Sequence, residues 1–540
     1  MKDISSTGSF INFYLNNYIY VDKTQYIRDL IKLERVFISR PRRFGKSLTL
    51  DTIATLFETG VEPYFKGTWI YDKWTEPTYP VLRLNFLNFD KNSLEKFNNK
   101  LNSKITEFAE LNHVTSYKEK KEAEDSIDHL LEQLRLEGRQ IVILIDEYDC
   151  QMTANINNET LYKQFQEKIK SFYATIKNKW PIKFLGITGV TRLKDVEIFS
   201  IGSDINDITN DSAYSQMIGF TRDEIKKYYI DYLKLAASYE NKCRVEEVTD
   251  TQIESMLDMM AQNYDGYCFD EFYKKKVFST WSVNKFFQSV VSNKFVYFGE
   301  YWYDNGGLPS ILVNYLKTHE LNIFEYLDKD KFLKVSSDDF KNPTALTTIN
   351  QNVLMCQTGY LTLRSDLNKT STVALGIPNG EIYKALNRLL ANNIFKGNTD
   401  ITDDYGRSLL EVGTVDDIIN LFNSALNSVS YDNYPIVSES SVQNMLKLYL
   451  LGAHQKVLSE VHEAKGRADL VVNTDNRRIV FEFKYAKNET EAKSKLLDAV
   501  EQIKTRDYGN IVPNKTELLR IATVFNADPK VRAFTEYQEV

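Results

Sequence analysis

The fold is decided by residues 38–50, which read I-S-R-P-R-R-F-G-K-S-L-T-L. The centre of this stretch has the length and the ending of a phosphate-binding loop, G-x-x-x-x-G-K-[ST]. A short apolar run, V-F-I, leads into the loop, and a helix-like run, residues 48–56, follows it. In a strand–loop–helix context, backbone N–H groups and the helix N-terminus face a phosphate group. The stretch therefore predicts a nucleotide-binding α/β domain.

The residues of this loop have distinct expected roles. Lys46 would place a charge near the β- and γ-phosphates of ATP, and the Ser47 hydroxyl would ligate Mg²⁺. Arg40 occupies the position of the first glycine, where a side chain restricts the backbone, so the pattern predicts binding of ATP more directly than its hydrolysis. The plainer alternative is a basic turn before an ordinary amphipathic helix. The predicted nucleotide-binding residues here are Arg40, Arg42, Arg43, Phe44, Gly45, Lys46, Ser47 and Leu48.

A second half of such a site lies downstream. Residues 141–147 read I-V-I-L-I-D-E, and an unbroken apolar run suits a strand buried on both faces of a parallel sheet. Carboxylates at the C-terminal end of such a strand lie where open α/β sheets bind their ligands. Asp146 would hold Mg²⁺, and Glu147 would act as the catalytic residue that polarises the attacking water. The alternative is a core strand that enters an acidic loop.

Another buried strand is predicted within residues 184–192, F-L-G-I-T-G-V-T-R, which end in polar residues. Thr188 or Thr191 would sense the γ-phosphate, and Arg192 would touch it. The alternative is a capped strand end followed by a surface arginine. Both readings place polar groups at the end of a strand that belongs to the same sheet.

A separate constellation lies near the C-terminus. Two short strands, residues 467–472 and 479–485, flank a turn. If they pair as a hairpin, Asp469 lies on the same face as Glu482 and Lys484, because alternate residues of a strand share a face. The two carboxylates would hold Mg²⁺, and the lysine would orient or deprotonate a water that attacks a phosphodiester. The alternative is a solvent-facing ion pair on an edge strand.

Several motifs along nearly the whole chain resemble those of a bacterial family of AAA-ATPase-like proteins, whose members usually end in a PD-(D/E)xK nuclease-like domain. The motifs are Y-V-D-K-T at 20–24, R-P-R-R-F-G-K-S at 40–47, D-E-Y-D at 146–149 and G-R-A-D at 466–469. The resemblance implies a P-loop ATPase-like parallel sheet with a helical lid, followed by a C-terminal α/β nuclease-like domain. It also implies a catalytic position for Gln502, with Tyr508 just beyond, and a further acidic ligand at either Glu460 or Glu463.

Composition agrees with an ordinary soluble protein of 540 residues, of which 26% are charged. The net charge of −7 argues against a globally basic nucleic-acid coat but allows a local basic groove. Four scattered cysteines and five scattered histidines indicate neither a disulfide framework nor a zinc site. The first residues, M-K-D-I-S, lack the apolar core of a signal peptide, and no apolar run reaches transmembrane length. We therefore expect a cytoplasmic protein with no membrane partner.

Four parts are expected along the chain: an ATPase-like domain at 1–220, a helical lid at 221–345, a connector at 346–430 and a nuclease-like domain at 431–540. The first hypothesis is an ATP-binding, ATP-hydrolysing enzyme whose Mg²⁺-dependent nuclease activity is gated by nucleotide, with DNA favoured over RNA. The alternative is a nucleotide-gated switch with a non-cleaving nuclease-like domain, and a third option is ATP turnover that serves assembly alone. A homo-oligomer is possible, with Arg192 or Arg222 reaching a neighbouring subunit.

Overall fold

The computed structural model describes residues 1–193, 204–304, 310–316, 323–343, 345–395, 405–453, 455–463, 466–508 and 517–540. The chain divides into two compact units. Unit 1 comprises Met1–His319 and Phe332–Ile382, and unit 2 comprises Glu320–Lys331 and Tyr383–Val540. The finer four-part division predicted from the sequence stays a prediction.

Unit 1 is built on a five-stranded parallel sheet, which confirms the predicted α/β class. The strands pair in the order β2-β3-β4-β1-β5, and every pair is parallel. Because the fourth strand lies between the first and the third, the ends of all three strands meet at one edge of the sheet. The strands are β1 (Arg35–Ser39), β2 (Val81–Asn85), β3 (Ile141–Asp146), β4 (Ile182–Gly189) and β5 (Asn206–Asp207).

The predicted strand–loop–helix arrangement is observed: the loop of residues 40–45 joins β1 to the helix that begins at Lys46. The helices of unit 1 follow in chain order. They are α1 (Phe10–Leu15), α2 (Thr24–Leu30), α3 (Lys46–Thr59), α4 (Leu94–Leu111), α5 (Ala123–Leu136), α6 (Cys150–Ala154), α7 (Glu159–Ile176), α8 (Arg222–Tyr228), α9 (Ile230–Asn241), α10 (Asp250–Tyr264), α11 (Thr280–Asn293), α12 (Tyr301–Asp304), α13 (Ser310–Leu316), α14 (Ser337–Lys341) and α15 (Gln351–Gln357). A small antiparallel sheet completes the unit in the order β6-β8-β7, with β6 (Leu333–Ser336), β7 (Thr362–Leu363) and β8 (Thr372–Gly376).

Helices α8 to α11 surround a core of their own, in the region predicted to form a helical lid. A capping box is present at the start of α8, where the Thr221 side chain accepts from the backbone N–H of Glu224 and the Glu224 side chain accepts from the backbone N–H of Thr221. Ile19 and Val21, from the segment between α1 and α2, are buried in the same core. The N-terminal segment is therefore packed against these helices.

Unit 2 contains a five-stranded mixed sheet in the order β13-β12-β11-β10-β9. The predicted hairpin is observed, with Leu470 opposite Phe481, and the second strand of the hairpin also pairs in parallel with β12. That strand is therefore central in the sheet, so the edge-strand alternative is excluded. The elements are α16 (Gly380–Ile394), which begins in unit 1, α17 (Tyr405–Val412), α18 (Val415–Asn427), α19 (Glu439–Gly452), β9 (Lys456–Glu463), β10 (Gly466–Asn473), β11 (Arg477–Ala486), α20 (Glu489–Arg506), β12 (Glu517–Asn526) and β13 (Ala533–Glu539).

Helices α19 and α20 pack against the sheet of unit 2, with α20 covering β11 and β12. Small residues make this close packing possible: Ala468, Ala499 and Ala522 are buried together with Tyr508. In the described ranges of both units, no helix has the length and apolar character needed to cross a membrane.

Candidate functional site

The loop between β1 and α3 adopts the backbone shape that its residues predict. Gly45 has a φ of +105°, and a Cβ atom there would meet nothing within 4 Å, so glycine is required by conformation rather than by space. Arg43 also has a positive φ, +69°. Left-handed residues placed between right-handed ones curl successive N–H groups toward one side, which is the geometry of an anion-binding nest.

Lys46 is held at the first turn of α3 with only 4% of its side chain exposed. Its ammonium donates to the carbonyl oxygens of Arg40, at 3.0 Å, and Pro41, at 3.3 Å. It also lies 3.5 Å from Oε1 of Glu147. Glu147 has a φ of +52°, an unfavourable backbone conformation for a residue with a Cβ, and such strain concentrates at functional sites.

Asp146 is the hub at the edge of the parallel sheet. Its Oδ2 accepts from the Ser47 hydroxyl at 2.6 Å and from the Asn85 amide at 3.3 Å, and its Oδ1 accepts from the Thr188 hydroxyl at 2.5 Å. The backbone N–H of Glu147 donates to Oδ1 at 3.0 Å. The structure thus brings together three residues predicted from sequence and adds Asn85, which the sequence reasoning missed although it ends the neighbouring strand β2.

Arg40 does not point its side chain toward the phosphate side of the loop. It is 1% exposed, donates to the carbonyls of Ser39 and Thr209, and stacks on the ring of Phe269 at 4.2 Å. Burial lowers the pKa of its guanidinium to about 9. The residue at the first glycine position therefore anchors the loop to the segment after β5.

Two more side chains of the loop, Arg43 and Phe44, contact other segments of unit 1. Arg43 donates to the carbonyls of Tyr301, at 2.9 Å, and Trp302, at 3.1 Å, and its guanidinium lies over the ring of Trp281. Phe44 is 1% exposed and makes an edge-to-face contact with Trp302, and further such contacts with Tyr267 and Phe269. These contacts fix the loop against the helical part of the unit.

Two of the remaining sequence candidates in unit 1, Thr191 and Arg192, follow the end of β4. Thr191 donates to the buried carboxylate of Asp149 at 2.5 Å rather than to Asp146. Arg192 forms an ion pair with Asp207, and its backbone is held by Gln357. Arg222, the other candidate for reaching a neighbouring subunit, pairs with Glu254 and Asp258.

A cavity of about 350 Å³ adjoins the loop, within the range of pockets that hold small ligands. Arg42 of the loop and Leu48 of α3 are among the residues that line it. The opposite walls come from segments distant in sequence, including Gly8 and Tyr20 near the N-terminus, Phe220 and Trp281. Sequence reasoning noted the motif around Tyr20 but gave it no role, because nothing local shows which walls meet the loop.

The three predicted residues of the C-terminal site meet in unit 2. The hairpin register places Asp469 and Glu482 on neighbouring positions of β10 and β11. The Lys484 ammonium is 2.8 Å from Oε1 of Glu482, and Oδ2 of Asp469 accepts from the backbone N–H of Phe483 at 2.8 Å. Two carboxylates and a lysine are therefore gathered on one part of the sheet.

One carboxylate of this cluster, Glu482, is buried with a single oxygen hydrogen-bonded. Glu482 is 0% exposed, and its Oε2 has no hydrogen-bond partner among the described residues. Burial, followed by the charge of Asp469, raises the pKa of Glu482 to about 7. Burial lowers the pKa of Lys484, but the hydrogen bond to Glu482 and the charges of Glu482, Glu439 and Asp469 together outweigh this effect, so the pKa is raised. A cation would satisfy the orphaned oxygen, although the described side chains include no set of three acidic, histidine or cysteine residues arranged as metal ligands.

Sequence reasoning missed a third carboxylate beside this cluster. Glu439, in the first turn of α19, has Oε1 3.4 Å from the Lys484 ammonium. Gln443, one turn further on, donates to the backbone carbonyl of Asp469. The side chains of the two acidic candidates proposed from sequence, Glu460 and Glu463, lie outside the described part of β9.

Gln502 lies on α20, as expected, and its amide donates to the hydroxyl of Tyr508 at 3.3 Å. Tyr508 is fully buried against the sheet. The Tyr508 hydroxyl also accepts from Arg506 at 2.9 Å. The structure therefore groups the predicted Gln502 with a tyrosine and an arginine at the end of the helix.

The fold and the two sites define the class: a P-loop ATPase-like α/β domain followed by an α/β domain with a carboxylate–lysine cluster. Residues 5–199 match the family model described as a predicted AAA-ATPase, and residues 437–534 match the PD-(D/E)XK nuclease superfamily. The chain therefore carries an AAA-ATPase-like domain and a C-terminal PD-(D/E)XK nuclease superfamily domain, which confirms the resemblance seen in its motifs.

Two individual proteins are similar to the chain. The uncharacterized protein in the vnfD 5′ region of Azotobacter chroococcum mcd 1 is 26% identical over 512 residues, which cover 92% of this chain and 90% of that protein. The crystal structure of Cdc6p from Pyrobaculum aerophilum matches 68% of this chain and 93% of that chain at 11% identity. Its TM-score of 0.25 is too low for the likeness to carry an argument.

Proposed function

We propose that the protein is a Mg²⁺-dependent nuclease whose activity is gated by the binding and hydrolysis of ATP. The observation that carries this proposal is the cluster of Asp469, Glu482 and Lys484, in which one buried carboxylate oxygen lacks a partner. A carboxylate of this kind is stabilised by a cation, and hard oxygen ligands favour Mg²⁺. The membership of this domain in a nuclease superfamily supports the same reading.

In the C-terminal site, Asp469 and Glu482 would hold the Mg²⁺ ion. When bound, the ion would stabilise charge on the phosphate oxygens and lower the pKa of a coordinated water. Lys484 would orient the attacking water and offset the negative charge that builds up on the phosphate, because its raised pKa keeps the ammonium charged, and Gln502 would help to position the substrate. The water oxygen forms a new P–O bond to the phosphorus as the P–O bond to the leaving oxygen of the backbone breaks, and a proton from the water ends on that leaving oxygen.

In unit 1, ATP would occupy the cavity beside the loop. Lys46 and Arg42 would face the phosphates together with the loop N–H groups, while Ser47 and Asp146 would hold the second Mg²⁺ site. Glu147 would polarise the attacking water, and Thr188 would fix the carboxylate of Asp146. Arg40, Arg43 and Phe44 would support the loop, because their side chains are already engaged elsewhere in the unit.

A continuous set of contacts supports gating. Arg43 of the loop donates to the Trp302 carbonyl, and the Trp302 N–H donates to Glu381 at 2.8 Å. Glu381 is buried, accepts from Ser282 at 2.7 Å and lies in the first turn of α16. That helix contains the last residues of unit 1 and the first of the second segment of unit 2, so a shift of the loop on binding nucleotide would act on the connecting helix.

Cleavage of linear and circular DNA, and of RNA, by the full chain with Mg²⁺ tests the proposal. Wild type is compared with Asp469→Ala and with Asp498→Ala, which removes an exposed carboxylate of α20. We expect cleavage that Asp469→Ala abolishes and Asp498→Ala retains, and a rate that changes when ATP is added. Equal residual activity in both variants would show that the cutting agent is a contaminant.

The same experiment decides between enzyme and switch. If neither DNA nor RNA is cut under any condition while ATP binding is measurable, the protein is a nucleotide-gated binding protein and the nuclease proposal fails. If ATP is hydrolysed at a rate that nucleic acid does not alter, the coupling of the two sites fails while each site stands.

A further inference from the structure

Arg506, the last residue of α20, is an exposed arginine beside the carboxylate cluster. Its Nη1 donates to the hydroxyl of Tyr508 at 2.9 Å, and its other donors make no hydrogen bond to the described residues. The hydrogen bond to Tyr508 raises the pKa of Arg506, and the charges of Glu482 and Asp469 add to that increase. The guanidinium is therefore close enough to the cluster to interact with it electrostatically.

The position of Arg506 is built by several contacts. The helix ends at Asp507, which has a φ of +53°. Arg520 donates to the Tyr508 carbonyl at 2.6 Å and to the Asp507 carboxylate at 3.0 Å, which fixes the two residues that follow the helix. Because Tyr508 is fully buried, its hydroxyl provides a rigid anchor for the arginine.

Gly466, the first residue of β10, is shaped to accommodate this side chain. A Cβ atom at Gly466 would lie 2.6 Å from Cδ of Arg506 and 3.2 Å from Cε1 of Tyr508. The close approach of the arginine therefore requires glycine at this position. The stem of Arg506 therefore lies against the first residue of the strand that carries Asp469.

We propose that Arg506 binds a phosphate of the nucleic-acid backbone adjacent to the one that is cleaved, and so positions the strand over Asp469 and Glu482. This inference rests on the proposed nuclease function. A guanidinium presents a planar fork of donors that matches phosphate oxygens. Because phosphate contacts position a strand without reading its bases, Arg506 contributes affinity and register rather than sequence preference.

Fluorescence anisotropy with labelled DNA and RNA strands, measured on the full chain in EDTA over a salt series, tests this role. Arg506→Gln is expected to weaken binding about tenfold, as for one lost charge-assisted hydrogen bond, and to lower the salt slope by about 1. Arg506→Lys should retain part of the affinity because it keeps the charge. The polymer that shows the loss identifies the source of the phosphate.

The matched control is Lys493→Gln, which removes an exposed positive charge from the same helix, about 20 Å away along its axis. Gly466→Ala supplies a second variant, because the added methyl group displaces Arg506 without removing its charge. We expect Gly466→Ala to lose affinity as Arg506→Gln does while its circular dichroism spectrum is unchanged. Binding of Arg506→Gln and Gly466→Ala that equals that of Lys493→Gln on both polymers would overturn the proposal.

Because binding in EDTA does not require cleavage, the two proposals fail separately. A chain that never cuts nucleic acid but loses affinity in Arg506→Gln has the phosphate site without the nuclease. A chain that cuts, and in which Arg506→Gln binds as tightly as Lys493→Gln, has the nuclease without this role for Arg506.

Discussion

Asp146 in unit 1 and Glu482 in unit 2 are both buried carboxylates on sheet strands, yet their surroundings differ. Asp146 accepts from two hydroxyls, one amide and one backbone N–H. Glu482 accepts from Lys484 through one oxygen and lies beside Asp469, and its second oxygen has no hydrogen-bond partner among the described residues. Both oxygens of Asp146 therefore have hydrogen-bond partners within the fold, whereas one oxygen of Glu482 has none among the described residues.

The difference bears on what each site needs in order to work. Buried polar groups without partners cost free energy, and a fold retains them where a ligand or a reaction uses them. In unit 1, a cation must compete with the Ser47 and Asn85 donors for Asp146. In unit 2, a cation removes a penalty that the fold already carries, so the C-terminal site should gain more stability from divalent ions.

The largest effects are expected when the lysine of either site, Lys484 or Lys46, is replaced with alanine. Lys484→Ala should reduce cleavage about 10³-fold, the usual upper contribution of a single group that stabilises charge in the transition state, and leave the Kd for ATP unchanged. Lys46→Ala should weaken ATP binding about 100-fold, since a buried ammonium that pairs with phosphate is lost. Cleavage assays and ATP titration measure the two quantities.

Controls for these variants are Lys493→Ala and Lys163→Ala, which remove exposed lysines from α20 and α7. Both should resemble wild type in both assays. A Lys484→Ala variant that loses ATP binding as well would show that the two sites are not separable in this way.

The next largest effect is expected from replacing Asp146, whose two carboxylate oxygens both have hydrogen-bond partners. Asp146→Asn exchanges an acceptor oxygen for a donor that faces either Ser47 and Asn85 or Thr188, so unfolding should be easier by about 1–3 kcal/mol. Urea unfolding of the full chain checks this, and an unchanged midpoint would contradict the structural role of Asp146.

Glu482→Gln should have the opposite effect and make the fold more stable above neutral pH. The pKa of Glu482 is about 7 in the fold against an ordinary value of 4.5, so the native state binds its proton more tightly than the unfolded chain. Stability contributed by this group is therefore complete below about pH 4.5, falls as pH rises toward about 7, and stays lost above it. In EDTA the variant should unfold at a higher temperature than wild type at pH 8, and at the same temperature near pH 4.

Mg²⁺ provides the check on that prediction. Added Mg²⁺ should raise the unfolding temperature of wild type at pH 8 more than that of Glu482→Gln, because the amide is a weaker ligand. Differential scanning calorimetry of the full chain measures both. If the variant is less stable than wild type at pH 8 in EDTA, the ionised Glu482 carboxylate does not destabilise the fold and the prediction is wrong.

Local pattern predicted much of both sites. The apolar run that ends in Asp146 and the G-K-S ending of the loop each lie within a few residues, so period and spacing are enough to place them. The hairpin that carries Asp469 and Glu482 is equally local, and its register follows from a short turn. Roles within the loop are less local: nothing near Arg40 in sequence shows that Thr209 and Phe269 will bury its guanidinium.

The residues that sequence reasoning missed are brought to the sites by tertiary packing. Asn85 reaches Asp146 because β2 pairs with β3, and strand order cannot be read from one strand alone. Glu439 reaches Lys484 through the packing of α19 on the sheet. Gly466 did carry a signal, since a glycine in a strand indicates close approach of another group, but the approaching Arg506 could not be named.

The smallest effect is expected at Glu439, which is 43% exposed and lies 3.4 Å from the Lys484 ammonium. Its charge helps to raise the pKa of Lys484, so Glu439→Gln should lower that pKa slightly and change cleavage only about 2–5-fold, as for a weak, partly screened ion pair. The Mg²⁺ concentration for half-maximal activity separates two roles for this carboxylate. If Glu439 acts only on Lys484, that concentration stays constant, whereas an increase of about tenfold or more would make Glu439 a ligand of the ion or of its coordinated water. The second result would mean that the C-terminal carboxylate cluster has three members, one of which the fold supplies from a helix rather than from the hairpin.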